Sequence, residues 1–336
     1  MIAVVTGASG FIGRNLVGRL LNDGHEVRCL TRPHGGLAPE GAAATQVDFN
    51  DVASLRALKA LDGADVVFHL AAAMRARSEA AFEAANVAPT RNLLHALADN
   101  GSPARFVFVS SQAAAGPATS IERPIVESDE PRPVEAYGRS KALAERVVSS
   151  FADRLPVSVV RPSSVYGRFD RDFLRLFQMA RRGIVLYPGT MHHWLSLTHA
   201  DDVVEGMLAA ATSPNAIGRT FFLAAEPAIQ WRALGDRIAD AVGRPVGHLN
   251  VPGSLVRAAS LLGDAAALVV RDTPLLNTSK AELARQPLWV CSSERARTEL
   301  GWIPSRSLPE GLRDTYLWYE QRAWLSGPSR SSLATA

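Results

Sequence analysis

Short apolar runs alternate with segments of helical spacing along the first half of the chain. The runs predicted to be strands lie at residues 2–6, 26–30, 43–47, 65–70, 105–110 and 157–160. The segments with helical spacing lie between them, at residues 11–22, 51–61, 78–100 and 136–154. Short, fully apolar strands separated by helices indicate a parallel sheet that is covered on both faces. The pattern therefore predicts an α/β protein with a doubly wound parallel Rossmann sheet.

Beyond about residue 163 the pattern is looser, and helices alternate with short strands such as 220–224. We expect a smaller C-terminal α/β lobe at 163–325, with segments that return to the sheet formed by residues 1–162. The last residues, 326–336, are expected to be a mobile tail.

The composition limits the classes of function. The chain has 336 residues, of which 47 % are hydrophobic and 21 % are charged, so it can bury a large core in two lobes. The formal net charge is only +3, and the arginines are interspersed with acidic residues. Because no basic stripe alternates with aromatic residues, nucleic-acid binding is not expected.

The cysteines and the apolar segments bear on cellular location. Cys29 and Cys291 are two distant cysteines without a disulfide framework, which favours a reducing compartment, the cytoplasm. Residues 1–7 predict a first strand and not a signal peptide. The longest apolar segment, 254–270, contains Arg257 and Asp264 and is too short and too charged to span a membrane. We interpret it as an amphipathic helix.

A glycine-rich turn, TGASGFIG at 6–13, directly follows the first predicted strand. Gly7 permits a tight turn, Gly10 lets the backbone approach a pyrophosphate, and Gly13 lets the helix pack on the strand. The helix N-terminus offers free amides and a partial positive charge to phosphates. We therefore predict a dinucleotide site with contacts from Gly7, Ser9, Gly10, Phe11, Ile12 and Gly13.

The end of the second strand indicates which dinucleotide binds. An NAD-selective site usually has an acidic residue there, which bonds the ribose 2′-hydroxyl. This chain has Arg32 and no acidic residue before Glu40. Arg32 can face a 2′-phosphate, or it can be a solvated arginine at a strand end. We predict NADP, with NAD as the alternative. Asp48, followed by Phe49, is expected to bond the adenine amino group or to cap the next helix.

Three polar residues form the candidate catalytic centre. Tyr137 and Lys141 are four residues apart, so a helix places them on one face. A nearby ammonium favours the phenolate and brings the pKa of the tyrosine closer to neutral pH. Ser110 and Ser111 end a strand, at the sheet edge where ligands bind. A hydroxyl there can polarise a substrate carbonyl and stabilise a developing alkoxide.

With these residues in place, the chain resembles the extended short-chain dehydrogenase/reductase family, also called the NAD-dependent epimerase/dehydratase family. The resemblance extends from residue 2 to about residue 320 and is carried by TGASGFIG (6–13), DVVFHLAA (65–72), NVAPTRNLLHA (86–96), FVFVSS (106–111), YGRSK (137–141), RPSSVYG (161–167) and ELGWIP (299–304). It implies an NAD(P)-binding domain at 1–162, a substrate lobe at 163–325, often a homodimer, and a Ser/Tyr/Lys triad.

By position, the resemblance assigns the triad to Ser111, Tyr137 and Lys141, because Ser111 lies five residues before Gly116. It implies that Asn86 supports a water molecule or the lysine, although a helix cap is an equal alternative. Further cofactor contacts are expected from Leu70, Ala71, Ala72, Asn86, Ser110, Pro162 and Ser163, of which the last two line the nicotinamide carboxamide.

The chain departs from the sugar-nucleotide pattern of that family. Gln112 and alanines follow Ser111, where dehydratases need an acidic pair. Ser164 replaces an asparagine that holds the diphosphate in epimerases, and His193 lies where they tend to have an arginine, although Arg168, Arg171 or Arg271 could supply that charge. We expect a fairly apolar small-molecule substrate, with Ser111, Gln112, Ser164 and Trp194 as candidate contacts and further apolar material at Phe173, Leu186, Leu195 and 255–270.

The leading hypothesis is hydride transfer between NADP(H) and a carbonyl or secondary alcohol. In the reduction direction Tyr137 gives the proton, Ser111 polarises the carbonyl, and Lys141 positions the ribose. One alternative is a nucleotide-sugar epimerase with tightly held NAD. Another is a non-catalytic nucleotide-binding scaffold, which would not need the three triad residues together. No metal is expected, because His192, His193 and His199 lack a closed ligand spacing.

Overall fold

The strands and helices alternate along the first half of the chain, as the apolar pattern predicts. The computed structural model describes residues 1–33, 35–258, 260, 282–283 and 285–325. The strands are β1 (Ile2–Thr6), β2 (Glu26–Thr31), β3 (Ala43–Gln46), β4 (Val66–His69), β5 (Arg105–Val109), β6 (Val157–Pro162), β7 (Ser164–Tyr166), β8 (Ile184–Pro188), β9 (Trp194–His199), β10 (Thr220–Leu223), β11 (Ala225–Gln230), β12 (Gly247–Val251) and β13 (Leu288–Trp289). The helices are α1 (Phe11–Asn22), α2 (Val52–Arg56), α3 (Glu79–Asn86), α4 (Ala88–Asp99), α5 (Gln112–Ala115), α6 (Ala136–Ser149), α7 (Asp172–Arg181), α8 (Ala200–Thr212), α9 (Trp231–Val242), α10 (Glu294–Leu300) and α11 (Leu308–Gln321).

Seven strands form the central sheet in the order β10-β6-β5-β4-β1-β2-β3. Every neighbouring pair in it is parallel. Alternate residues of β1 point to opposite faces, so Ala3 and Val5 join one core cluster and Val4 joins the other. Helices α1 and α8 contribute to the first cluster, and α4 and α6 to the second. The predicted α/β class with a parallel Rossmann sheet is confirmed.

The later part of the chain adds two smaller sheets. One has the order β11-β9-β13, with β7 paired to β9, and the other pairs β8 with β12. A third core cluster lies among these strands and α7, α9 and α11. Strand β10 also comes from this part of the chain, but it pairs with β6 and lies at the edge of the central sheet.

Three predicted helices are shorter or divided in the structure. The segment 51–61 forms α2 followed by a short 3₁₀ turn at Lys59–Leu61. The segment 78–100 is divided into α3 and α4, with Pro89 in the first turn of α4. Proline lacks the N–H that would continue the helical hydrogen bonds, so the division falls there. Helix α6 ends at Ser149, five residues before the predicted end.

Among the described residues, no helix is both long and apolar enough to cross a membrane. Most of the predicted amphipathic segment, Arg271 and the predicted tail at 326–336 lie outside the described residues.

Candidate active site

The glycine-rich turn between β1 and α1 has close backbone contacts and leads into a helix without a side-chain cap. Gly7 has a φ of 71°, and a Cβ there would lie 2.8 Å from the Ala71 nitrogen. A Cβ at Gly13 would collide with the Gly7 carbonyl oxygen, so both positions need glycine. At Gly10 a Cβ would meet one atom within 4 Å, the Gly7 oxygen at 3.2 Å. No side chain caps the N-terminus of α1, so its first amides are available to a phosphate.

The loop after β2 lies against this turn. A Cβ at Gly36 would lie 2.8 Å from the Ser9 hydroxyl oxygen, and the Gly35 amide donates to the Arg32 carbonyl at 2.9 Å. The Arg32 side chain is exposed, and within the described part of the chain it forms no hydrogen bond or ion pair. Arg32 therefore lies in a loop that adjoins the glycine-rich turn.

The hydroxyls of Ser111 and Tyr137 are brought together by the packing of α5 on α6. Ser111 caps α5, and its hydroxyl accepts from the Ala113 amide at 3.1 Å. A side chain at Gly138 would collide with the Ala113 carbonyl oxygen, so this glycine permits the close approach. The Ser111 hydroxyl opposes the rise in the pKa of the Tyr137 phenol, which relates the two side chains.

Glu135 holds the beginning of α6, a contact that the sequence analysis did not predict. Its carboxylate accepts from the amides of Tyr137 at 2.7 Å and Gly138 at 2.5 Å. An acidic residue directly before a helical run is a recognised N-cap signal, so the pattern could have indicated it. The cap orients the first turn of α6, which carries Tyr137.

Lys141 lies one turn further along α6, with its side chain buried at the carboxyl end of β5. Its ammonium donates to the Val109 carbonyl oxygen at 2.8 Å and lies 3.9 Å from the centre of the Phe108 ring. Burial lowers the pKa of Lys141 to about 7, and the Glu145 carboxylate opposes this shift. Ser111, Tyr137 and Lys141 therefore converge on the end of one strand.

The expectation that Lys141 lowers the pKa of Tyr137 is wrong for this arrangement. Burial raises the pKa of Tyr137 above its usual value, the Glu135 carboxylate adds to the rise, and the Ser111 hydrogen bond opposes it. The spacing correctly placed both residues on one helix. It could not show that the long lysine side chain extends to the Val109 carbonyl.

Asn86 joins the loop after β4 to α6. Its Oδ1 accepts from the Ala73 amide at 2.6 Å, and its Nδ2 donates to the Ser140 hydroxyl at 2.9 Å. Asn86 is the last residue of α3, so the alternative of a helix N-cap is wrong. Because Ser140 precedes Lys141, the asparagine supports the helix that carries the lysine.

A buried histidine forms a second link that the sequence analysis missed. His69 Nε2 lies 3.0 Å from the Thr90 hydroxyl, which donates to the Asn86 carbonyl, so Nε2 is the donor of this pair. His69 Nδ1 then accepts from the Thr6 hydroxyl at 2.8 Å, and that hydroxyl accepts from the Ala71 amide. Burial, followed by the charge of Lys141, lowers the pKa of His69 to about 3, so the ring is neutral.

Two polar groups next to Ser111 have no partner among the described residues. The Ser110 hydroxyl oxygen and the Gln112 Nε2 are both buried without a hydrogen bond. Buried polar groups in folded proteins are nearly always satisfied, and exceptions concentrate at sites that bind something. Both atoms belong to residues that directly follow β5, next to Ser111 of the triad.

The other residues predicted to contact the cofactor follow β4 or lie at the end of β6. Leu70, Ala71 and Ala72 follow β4 and are partly buried. Pro162 ends β6, and the Ser163 hydroxyl is paired with the Thr198 hydroxyl at 2.8 Å.

The predicted adenine contact lies at a separate turn. The Asp48 carboxylate accepts from the Asn50 amide at 2.9 Å, while Asp51 caps α2, so the alternative role of Asp48 as that cap is wrong. Phe49 is buried in the core cluster that contains Val4. Asp48 itself is exposed.

The candidate substrate residues of the later chain differ in exposure. Ser164 in β7 and Trp194 at the start of β9 are partly buried, and Leu186 is 38 % exposed. Phe173 and Leu195 are buried in the third core cluster.

The side chains considered for holding a diphosphate differ in their surroundings. Burial lowers the pKa of His193, so its ring is uncharged at pH 7. Arg168 is paired with Asp201 at 3.1 Å, and the Arg171 guanidinium lies 5.6 Å from the centre of the Trp324 ring. In the part of the chain that the structure describes, no cluster of three or more His, Cys, Asp or Glu side chains could hold a metal ion.

Comparison with known proteins identifies the family. The family model described as NAD dependent epimerase/dehydratase family matches residues 3–224. The chain belongs to this family, and the predicted resemblance is confirmed.

The relatives include reductases. The chain is 31 % identical to 4-hydroxy-2-methyl-3-oxo-4-farnesyl-3,4-dihydroquinoline-1-oxide ketoreductase of Stigmatella aurantiaca, over 93 % of this chain and 95 % of the relative. It is 28 % identical to ceramide reductase of Caulobacter vibrioides, over 96 % of each chain. The solved structure of MoeE5 in complex with UDP-glucuronic acid and NAD is 25 % identical, with a TM-score of 0.76 over 96 % of this chain and all of the other.

Proposed function

We propose that this protein is an NADP(H)-dependent oxidoreductase that interconverts a carbonyl and a secondary alcohol on a fairly apolar substrate. The observation that carries the proposal is the convergence of Ser111, Tyr137 and Lys141 at the carboxyl end of β5. Ligands of open parallel α/β sheets bind at this edge.

The residues at the glycine-rich turn fit a nicotinamide dinucleotide. The uncapped amides of α1 next to Gly10 suit a pyrophosphate, and the exposed Arg32 suits a 2′-phosphate. The remaining donors of Lys141, which uses one bond to Val109, suit a ribose. When bound, the reduced cofactor supplies the hydride to the carbonyl carbon and is itself oxidised.

The protein residues hold and move the proton that accompanies the hydride. The raised pKa of Tyr137 keeps its phenol protonated near neutral pH, so it can donate that proton to the carbonyl oxygen. Ser111 donates a hydrogen bond to the same oxygen and stabilises the developing negative charge. Glu135 and Asn86 act as positioning residues, because they hold the beginning of α6 and the loop after β4.

An apolar substrate agrees with the side chains and with the relatives. The neutral His193 and the paired Arg168 offer little to a diphosphate, which would need compensation in a partly closed site. The names of two relatives contain a farnesyl group and a ceramide, both of which carry long hydrocarbon chains. We therefore favour a ketone with a large apolar part.

Nucleotide-sugar epimerisation with tightly held NAD is the second candidate, since MoeE5 was solved with UDP-glucuronic acid and NAD. The deciding experiment follows NADPH oxidation at 340 nm with a panel of aromatic, alicyclic and long-chain ketones. Calorimetry with UDP- and dTDP-sugars runs beside it. We expect NADPH-dependent reduction of at least one ketone and weak sugar-nucleotide binding. Micromolar binding of a nucleotide sugar, with isomerised product and no net cofactor turnover, would replace the reductase by the epimerase.

A further inference from the structure

The two-stranded sheet of β8 and β12 has one buried face and one exposed face. Val185 and Tyr187 of β8 are buried in the third core cluster. Because side chains alternate along a strand, Ile184 and Leu186 point to the other face, where they are 37 % and 38 % exposed. Leu249 of β12 is the register partner of Leu186 and is 53 % exposed. We call the surface of Ile184, Leu186 and Leu249 the β8–β12 face.

The three aliphatic side chains of this face are neighbours. Adjacent strands lie about 4.8 Å apart, so Leu186 and Leu249 start from neighbouring points of the sheet. Ile184 lies two residues before Leu186 on the same strand face. A single exposed leucine is ordinary on a protein surface, whereas a contiguous apolar patch marks a site of interaction. The β8–β12 face therefore calls for an apolar partner.

The segments that form the β8–β12 face are also basic. Residues 182–188 and 244–258 contain no acidic residue and three arginines, Arg182, Arg244 and Arg257. All three arginines are exposed. The Asp236 carboxylate approaches β12 from the other side, because it bonds the His248 ring at 2.9 Å and His248 alternates with Leu249. The charge of these two segments is positive only.

The structure fixes one of the cations at the border of the face. The Arg244 guanidinium donates to the Arg181 carbonyl oxygen at 2.6 Å. It also lies 3.2 Å from the position that a Cβ at Gly183 would take. Gly183 directly precedes Ile184, the first residue of β8. A guanidinium therefore lies beside the beginning of the apolar strand face.

We propose that the β8–β12 face docks on the surface of a membrane that contains anionic phospholipids. Aliphatic side chains together with arginines suit the membrane interface, where the apolar groups enter the boundary with the acyl chains and the cations meet the head groups. A second copy of the chain is a poorer partner, because a symmetric contact through this face would bring its arginines close to each other. The inference does not depend on the proposed reaction.

The test measures flotation of the full chain with large unilamellar vesicles. One set consists of phosphatidylcholine alone, and the other also contains phosphatidylserine at about 30 mol %. The variants are Leu249→Ser and Arg182→Gln. Their controls are Ile303→Ser, which changes an aliphatic residue that is 73 % exposed, and Arg146→Gln, which changes an exposed arginine of α6. Thermal unfolding shows that each variant is folded.

We expect the wild type to bind the vesicles with phosphatidylserine more tightly than those without it. The partition coefficient should fall by roughly 5-fold in Arg182→Gln, the contribution of one arginine near an anionic surface. It should fall by a similar factor, roughly 5-fold, in Leu249→Ser, because a half-exposed leucine loses part of its transfer free energy. Both control variants should keep the wild-type value, and added salt should weaken the preference for phosphatidylserine.

The contrary outcomes are equally specific. Absence of vesicle binding, or equal binding to the two kinds of vesicle, overturns the proposal. An equal fall in the control variants also overturns it, because binding would then not depend on this face. Self-association in sedimentation equilibrium that Leu249→Ser abolishes, without vesicle binding, would assign the face to a second copy instead. None of these results bears on the reductase function, which the ketone panel tests separately.

Discussion

Two regions of the molecule carry buried polar groups, and they differ in how those groups are satisfied. At the carboxyl end of β5, the Ser110 hydroxyl and the Gln112 amide have no partner among the described residues, and Lys141 bonds a single carbonyl. In the later part of the chain, where the buried His199 Nε2 likewise has no partner among the described residues, the Asp202 carboxylate on α8 accepts from the Ser305 amide at 2.8 Å and the Ser305 hydroxyl at 3.0 Å. Tyr187 likewise bonds His248 at 2.8 Å.

We interpret the unpartnered groups beside the triad as groups that serve a ligand, and the bonded groups such as the Asp202 carboxylate as groups that serve the fold. A buried polar group without a partner costs about 1–3 kcal/mol, so it is retained where binding or chemistry uses it. A group that is fully bonded within the protein contributes to the free energy of unfolding instead. Changes in the first region should therefore alter rates or selectivity, and changes in the second should alter stability.

The largest effect is expected from Tyr137→Phe. Loss of the general acid should reduce turnover by at least about 10²-fold, while dinucleotide binding stays nearly intact. Steady-state kinetics on a converted substrate, together with a fluorescence titration of NADPH, measure the two quantities. The matched control is Tyr187→Phe, which also removes one buried hydroxyl but should leave turnover within a few-fold of the wild type. Wild-type turnover in Tyr137→Phe would remove the tyrosine from the proposed mechanism.

Cofactor selectivity should change with Arg32. A charged contact to the 2′-phosphate contributes about 1.5–3 kcal/mol, which corresponds to a preference for NADPH of roughly 10- to 100-fold. Arg32→Asp should reverse the preference, since an acidic residue there repels the phosphate and bonds the ribose. Arg237→Asp makes the same charge change on α9 and should leave the ratio of NADPH to NADH affinity unaltered. Equal or tighter binding of NADH by the wild type contradicts the prediction.

Asp202→Ala tests the second region. The substitution removes a carboxylate that accepts several hydrogen bonds around Ser305, so the free energy of unfolding should fall by about 2 kcal/mol. Urea denaturation measures this change. Turnover per folded molecule should match the wild type, and Asp240→Ala at an exposed position should change neither quantity. A loss of turnover without a loss of stability would contradict the prediction that changes in the second region alter only the free energy of unfolding.

A further effect is expected in the pH dependence of stability. Burial lowers the pKa of Lys141 to about 7, whereas the unfolded chain holds this proton up to about pH 10.4. Between these values the unfolded state binds more protons, so stability rises with pH by at most about 1.4 kcal/mol per pH unit. Below pH 7 both states are protonated and this contribution has no slope.

The comparison uses protein without added dinucleotide. The free energy of unfolding of the wild type relative to Lys141→Met should increase between pH 7.5 and 9.5 and stay level between pH 6 and 6.5. The control variant is Lys59→Met, which makes the same substitution at an exposed position. A level profile for Lys141→Met would mean that the buried ammonium keeps its ordinary pKa.

Local patterns predicted the order of strands and helices in the central sheet. The inner strands β1, β4 and β5 are apolar on both faces, and helix α1 was predicted with the bounds that the structure shows, 11–22. The glycine-rich turn could also be predicted from the sequence, since its tight geometry arises within residues 6–13. The division between α3 and α4 was missed, although Pro89 is visible in the sequence.

Which polar groups of the candidate site form hydrogen bonds depends on contacts between residues that are far apart in the sequence. The bond from Lys141 to Val109 spans 32 positions, and that from Asn86 to Ser140 spans 54. Nothing in the spacing of Tyr137 and Lys141 shows that the ammonium extends to a strand end and leaves the phenol to Ser111 and Glu135.

The amino-acid sequence determined the parallel sheet, the glycine-rich turn and the three residues at the candidate catalytic centre, because periodicity and short motifs are properties of neighbouring residues. The tertiary structure decided which polar groups are bonded and which are left without a partner. It buried the Gln112 Nε2 without an acceptor among the described residues and made the His69 ring neutral by burial. Desolvation and hydrogen bonding depend on everything that packs around a group, so they exist only once the strands and helices have come together.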